Sequence, residues 1–302
     1  MKNKSWIGVL CLLITVVIWG SAFVAQYMGA ESLPPMAFTA GRSFIGALAV
    51  LPVALVAVHK EKKAGIVRRP KMLLLGGAAC GVALALASGL QQAGVAQTGA
   101  GKAGFLTVLY VVMVPIFGLV IGKRVAWPVW PCVAVAMAGS YLLSITESFR
   151  FERGDLLVLG CAVVYAVQIL LVDHFVGHSC AVMLSVVQLG TAGVVSAVGS
   201  LLFESTAPEQ WVAALGPLLF VGVMSSGVAY TLQMVGQRFL QPTLATLLMS
   251  LESVFALLAG WVILGERLSV REWIGCALVM AAVTVAQMAD KLVKEKQERS
   301  DL

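Results

Sequence analysis

Charge is scarce in this chain. Of its 302 residues only 12% are Asp, Glu, Lys or Arg, against the roughly one quarter usual in soluble domains. With 60% hydrophobic residues and a mean hydropathy of +0.93, a water-soluble globule is excluded. Residues that do chemistry are thin as well. The three histidines, His59, His174 and His178, form no HExxH, and Asp173, His174 and His178 are too few ligands for a metal site. The six cysteines, at 11, 80, 132, 161, 180 and 276, lack CxxC spacing and sit within or beside apolar runs, as packing residues and not disulfide partners. No carboxylate pair lies inside an apolar run and no serine occupies a nucleophile elbow, so the chain is not expected to be an enzyme. Gly99, Gly101 and Gly104 do spell GxGxxG. No soluble strand precedes them, however, no acid lies about 20 residues on, and Ala103 stands where a phosphate loop needs Ser or Thr. Close packing at the start of a span is the reading left to them.

What the chain has in abundance is long apolar runs. A span needs about 20 mostly apolar residues to cross a hydrocarbon core of about 30 Å. Ten stretches qualify, near 5–27, 35–57, 71–92, 102–121, 127–145, 154–173, 180–202, 211–235, 243–264 and 271–289. Their length favours helices over the short alternating segments of a barrel. The first run exceeds the 7–15 residues of a secretory leader and is expected to remain in the mature protein.

The runs also repeat. Gly122, Arg124, Trp130, Ala134, Met137 and Ala138 recur as Gly265, Arg267, Trp273, Ala277, Met280 and Ala281 at one fixed offset. Gly8, Leu10 and Leu13 recur as Gly154, Leu156 and Leu159, with Trp19 matched by Tyr165, at an offset that differs by three residues. Two copies of five spans each, 5–145 and 154–289, enter the bilayer from opposite sides because five is odd. The expected fold is therefore all-α: a polytopic membrane protein of ten transmembrane helices in two inverted five-helix repeats, with a charged tail at 290–302.

Placing the N-terminus inside puts about 15 Lys or Arg on inner segments and about five (Lys102, Arg150, Arg153, Arg267 and Arg271) on outer ones. Both termini are then cytoplasmic in a cell membrane, and most of the net charge of +6 is a topological signal. The basic stretch His59–Lys71 reads as a loop beside anionic headgroups, not a nucleic-acid binder.

Inside the spans, sparse polar residues fall on helical faces. Thr15, Trp19, Ala22 and Gln26 share a face of span one; Thr39, Arg42, Ser43 and Gly46 a face of span two. Ser88, Gln91 and Gln92 follow on span three, Tyr165 and Gln168 on span six, and Ser185 and Gln188 on span seven. Span eight carries Ser226, Tyr230, Gln233 and Gln237, and span nine Thr246, Ser250, Ser253 and Gly260 beside Glu252. Taken one at a time, such residues serve helix packing, as do the small pairs Gly77/Gly81 and Gly118/Gly122. Taken together, they describe a central cavity. Arg42 and Glu252 lie deep in their spans, where a charge costs about 2.5–3.5 kcal/mol on insertion scales and must face the interior. An ion pair between them is one arrangement; Lys102, at a span end, has the option of snorkelling to water. The expected substrate-binding residues are Trp19, Arg42, Gln91, Gln188, Tyr230, Gln233 and Glu252, with Glu252, Arg42 and Lys102 as candidates for proton or charge coupling.

WGSAF at 19–23, the lone Arg in span two, the stretch from Pro242 through Glu252, and the turns GKR at 122–124 and GER at 265–267 resemble the EamA-type family of drug/metabolite transporters. The resemblance covers essentially 5–289. It implies a secondary transporter of small metabolites such as amino acids or amphipathic compounds, working by alternating access and in many members exporting. It implies no cofactor and no ATP. The partners it leaves are a small-molecule substrate, the lipid bilayer and, without deciding it, a second copy of the chain; nucleic acid is not among them. A non-transporting solute sensor and a channel are the alternatives. Two departures from the family pattern stand out: Lys123 replaces a usual Glu, and Ser253 stands where Pro is common, which bears on the bend of span nine.

Overall fold

A computed structural model of the chain describes residues 5–66, 68–98, 100–123, 125, 127–144, 152–264 and 269–300. Lys2, Lys4, Gly99, Arg124, Arg150, Gly265 and Arg267, used in the sequence reading, lie outside the described residues. Within them the fold is all-helical. The helices are α1 (Ser5–Ala30), α2 (Pro35–Lys63), α3 (Pro70–Thr98), α4 (Ala100–Val108), α5 (Tyr110–Val120), α6 (Val129–Ser144), α7 (Arg153–Val176) and α8 (Ala181–Phe203). There follow α9 (Pro208–Ala213), α10 (Leu215–Phe220), a π-helix (Val221–Ala229), α11 (Tyr230–Gln237), α12 (Pro242–Met249), α13 (Glu252–Leu264) and α14 (Val270–Ser300).

Among the described residues nine stretches are long and apolar enough to cross a bilayer, and Val129–Leu143 is a shorter apolar helix. Hydrocarbon offers the backbone no hydrogen-bond partner, so each run closes its bonds within itself as a helix. Three crossings are composite. The fourth is α4 with α5, the eighth is α10, the π-helix and α11, and the ninth is α12 with α13. Charged residues do not stop a helix once it reaches headgroups, so α2 runs on to Lys63 and α14 to Ser300, past the ends of their apolar runs. The eighth crossing starts at Leu215, not 211: Trp211 belongs to the separate α9, where it packs with the cluster of Leu33, Phe38 and Leu218.

The glycines divide by role. Gly77 and Gly81 bring α3 onto α8, where an added Cβ would lie 2.4 Å from Val187 and 2.6 Å from the Gln188 carbonyl oxygen. Gly118 and Gly122 make no such crossing. Gly122 has φ of 81° and ends α5, with the Lys123 N–H bonding the Gly118 carbonyl at 2.8 Å, a glycine C-cap. Close packing is also missing at Gly104, where a Cβ would only graze Phe23 at 4.0 Å.

Three helix pairs, α2 with α8, α6 with α14 and α1 with α7, run in opposite directions. Met36 lies beside Gly199 and Phe44 beside Gly193, which sets α2 against α8. Gly139 and Leu143 near the end of α6 meet Gly275 and Val279 near the start of α14. α1 begins beside Gly236 and Leu240, whereas α7 ends on the same side, its cap carbonyl at Gly177 accepting from Arg68. That side also holds Lys60, Lys62, Lys63, Arg69, Lys71, Lys123 and Arg238, and is called the basic face below.

Candidate functional site

Six of the seven residues expected to bind substrate converge. Trp19, Arg42, Gln91, Tyr230, Gln233 and Glu252 line one cavity at the middle of the bundle, together with Phe23, Gln26, Thr107, Tyr110, Tyr165, Ile169, Ser225 and Met249. Both copies contribute walls. Gln188 does not reach it: fully buried, it accepts from the Gln168 amide at 2.9 Å between α7 and α8. The α8 face carrying Gln188 is the one that α3 covers through Gly81, which explains the miss.

Arg42 is only 2% exposed, and its bonded partners are neutral. Its Nη1 donates to Gln26 Oε1 at 2.8 Å, Nε to Ser226 Oγ at 2.9 Å and Nη2 to Ser225 Oγ at 3.2 Å. Two adjacent serines reach one guanidinium because the segment is a π-helix, whose wider turn moves neighbours onto a shared face. Gly46 lets α2 come close there, since a Cβ would lie 2.8 Å from the Gly227 nitrogen. No ion pair joins Arg42 to Glu252 among the described residues. Glu252, 3% exposed, instead accepts from the Tyr110 hydroxyl at 3.2 Å.

That hydrogen bond links the two interrupted crossings. Tyr110 is the first residue of α5 after the break at Leu109, and Glu252 is the first residue of α13 after the break at Ser250 and Leu251. At Ser250 the interruption needs no proline. The hydroxyls of Ser250 and Ser253 bond back to the carbonyls of Leu247 and Ser250 at 2.7 and 2.9 Å, and the Leu251 N–H takes a tightened bond to Leu248.

Around this pair the Tyr165 hydroxyl donates to Gln91 Oε1 at 3.3 Å and accepts from the hydroxyls of Tyr230 at 3.0 Å and Ser88 at 3.1 Å; Gln91 in turn donates to Thr107 at 3.2 Å. Trp19 stands edge-on to Tyr230, ring centroids 5.0 Å apart. Gln233 Oε1 is buried with no hydrogen-bond partner among the described residues. The cavity volume is about 30 Å³, room for one or two waters.

A second and larger space follows along the same helices toward the basic face. This vestibule of about 590 Å³ is lined by Val114 and Gly118 on α5, Leu170 and Asp173 on α7, Gln237 on α11 and Thr243 on α12. Val114 and Gly118 continue the face of Tyr110, Asp173 that of Tyr165 and Gln237 that of Gln233 in the cavity, each by steps of one helical turn. Lys123 reaches Asp173 across the vestibule, which gives the departure from the family's usual Glu a partner. Lys102 lines neither space. It pairs at 2.6 Å with the fully buried Asp155 at the opposite face, in place of snorkelling.

The residues missed by sequence reading are instructive. Tyr110 and Thr107 lie on either side of the break at Leu109, a polar pair in the fourth span that no charge drew attention to. Ser225 lies off the α-helical face of Ser226 and is brought in only by the π turn.

An apolar all-helical bundle with a small polar chamber at its middle is an integral membrane protein. The EamA-like transporter family matches this chain twice, at residues 6–145 and 152–287, and the protein belongs to that family. It is 30% identical to an uncharacterized transporter of Archaeoglobus fulgidus over 92% of this chain and 84% of the relative. It is 28% identical to the uncharacterized transporter YwfM of Bacillus subtilis over 94% and 95% of the two chains. It is likewise 27% identical to the uncharacterized inner membrane transporter YedA of Escherichia coli K12 over 93% and 90%. A solved crystal structure shares its fold, with a TM-score of 0.75 at 18% identity, covering 95% of this chain and 98% of that one.

Proposed function

We propose that the protein is a secondary carrier that exports small zwitterionic metabolites of amino-acid size by alternating access, with the basic face in the cytoplasm. The observation that carries this reading is the Tyr110–Glu252 contact, where interrupted helices from the two antiparallel halves meet on the cavity wall. Interrupted crossings at the midplane of inverted repeats are where carriers hold their solute. Arg42, with neutral bonded partners, suits a carboxylate; Glu252 suits an ammonium group or a proton; Gln233 Oε1 offers an acceptor for a further N–H. Solute enters from the vestibule, and rearrangement of the halves expands the small cavity around it. With no nucleotide-binding module expected, the driving energy is an ion or solute gradient.

The test is counterflow in proteoliposomes with a solute found by thermal-shift screening of purified protein against metabolites, since a ligand of the folded state raises the melting temperature. Glu252→Gln keeps an acceptor for Tyr110 but removes the titratable charge. Transport is expected to fall about tenfold or more and to lose its pH dependence. Unchanged transport with an unchanged pH profile removes Glu252 from coupling.

A further inference from the structure

The fourth crossing and α7 are joined by an ion pair at each end. Lys102, at the start of α4, meets Asp155 at the start of α7; Lys123, just past α5, meets Asp173 near the end of α7. The first pair lies at the face opposite the basic one and the second on the vestibule. Each pair links the first half of the chain to the second. We infer that these pairs are two latches on one seam: opening toward the basic face parts Lys123 from Asp173 while Lys102 holds Asp155, and opening toward the opposite face does the reverse. This rests on the carrier reading above.

The latches are unequal. Asp155 is fully buried and Lys102 is 20% exposed, whereas Lys123 and Asp173 are 35% and 20% exposed. Asp155 is also fixed in place, its Oδ2 accepting from the Glu152 amide at 2.8 Å in a capping box at the start of α7. A buried, preorganised pair is the harder one to break, and an exposed pair is weakened by water and salt. The pair at the basic face, where the vestibule lies, is therefore the one that parts more readily.

Thiol accessibility tests this without knowing the solute. In a background with the native cysteines replaced, single cysteines are placed at Val158 and Val176, each three residues beyond one of the two aspartates and each buried. Their reaction rates with a membrane-impermeant maleimide are measured in purified full-length protein. Lys102→Gln is expected to raise the rate at position 158 and lower it at 176, each about two- to fivefold, and Lys123→Gln to do the opposite. Exchanging the charges, Lys123→Asp with Asp173→Lys, restores the parent rates. A rise at the near position with no fall at the far one is local fraying and overturns the latches, as does failure of the exchange to restore them. A short bifunctional thiol crosslink between Lys123→Cys and Asp173→Cys separates the two readings. If it raises the rate at 158 while Lys123→Gln shifts nothing, the carrier stands and the latches fall; if it leaves 158 unchanged, the carrier reading fails first.

Discussion

Two seams flank the cavity between the first and second parts of the chain, and they are closed differently. In each, the first helix of one half lies along the interrupted crossing of the other: α1 against α12 and α13, and α7 against α4 and α5. On the first seam Gly20 brings the backbones together, and a Cβ there would lie 2.6 Å from the Ala256 nitrogen and 2.7 Å from the Phe255 carbonyl carbon. On the second, ion pairs reach across both ends. Backbone against backbone in lipid is tight and has no alternative arrangement nearby, whereas a lysine can leave an aspartate and find water. The glycine seam is suited to be a pivot and the charged seam to part.

The contrast breaks most sharply at Gly20. Gly20→Val is expected to lower stability by about 3 kcal/mol, read as a large drop in melting temperature of the detergent-purified protein. Gly190→Ala, where an added Cβ meets nothing within 4 Å, serves as the control and should melt with the parent. A Gly20→Val protein melting like the control would remove the pivot. Next come the ion pairs. Lys102→Gln, which strands the buried Asp155, is expected to cost about 2 kcal/mol, and Lys123→Gln, at the wetter end, less than about 1 kcal/mol. Raising salt should narrow the parent's advantage over Lys123→Gln and leave that over Lys102→Gln nearly intact. The reverse order would mean that burial does not rank these pairs. The smallest effect is expected inside the first seam: Ser253→Ala removes one bond back to Ser250 and a 3.4 Å contact with Ser140, worth about 0.6 kcal/mol in melting experiments. A loss several times larger would make Ser253 alone, and not Ser250 with it, the support of the interruption.

Much of this was legible in the residues. Apolar runs longer than a bilayer allow only helices, and deep charges at Arg42 and Glu252 must point inward, so the helical fold and both central charges follow from solvation alone. Helical periodicity also drew Trp19, Gln91, Tyr230 and Gln233 to the cavity. It failed where the helix ceased to be an α-helix or where a neighbour took the face. Ser225 enters through the π turn, Tyr110 is aimed by the break at Leu109, and Gln188 is spent on Gln168. The pairing of Lys102 with Asp155, 53 residues apart, depends on how the halves dock, which no local pattern encodes. Gly118 and Gly122 carried the right spacing for a crossing, yet Gly122 was needed to stop a helix.

The carboxylate of Glu204, at the end of α8, accepts from the amides of Met36 and Ala37 at 2.8 Å each. These are orphan donors in the first turn of α2, and their acceptor is synthesised some 170 residues later. Until the C-terminal half emerges from the ribosome, those two amides have only water or lipid headgroups to bond. Co-expressed as two separate polypeptides, the halves should complement each other, while either one alone should be degraded.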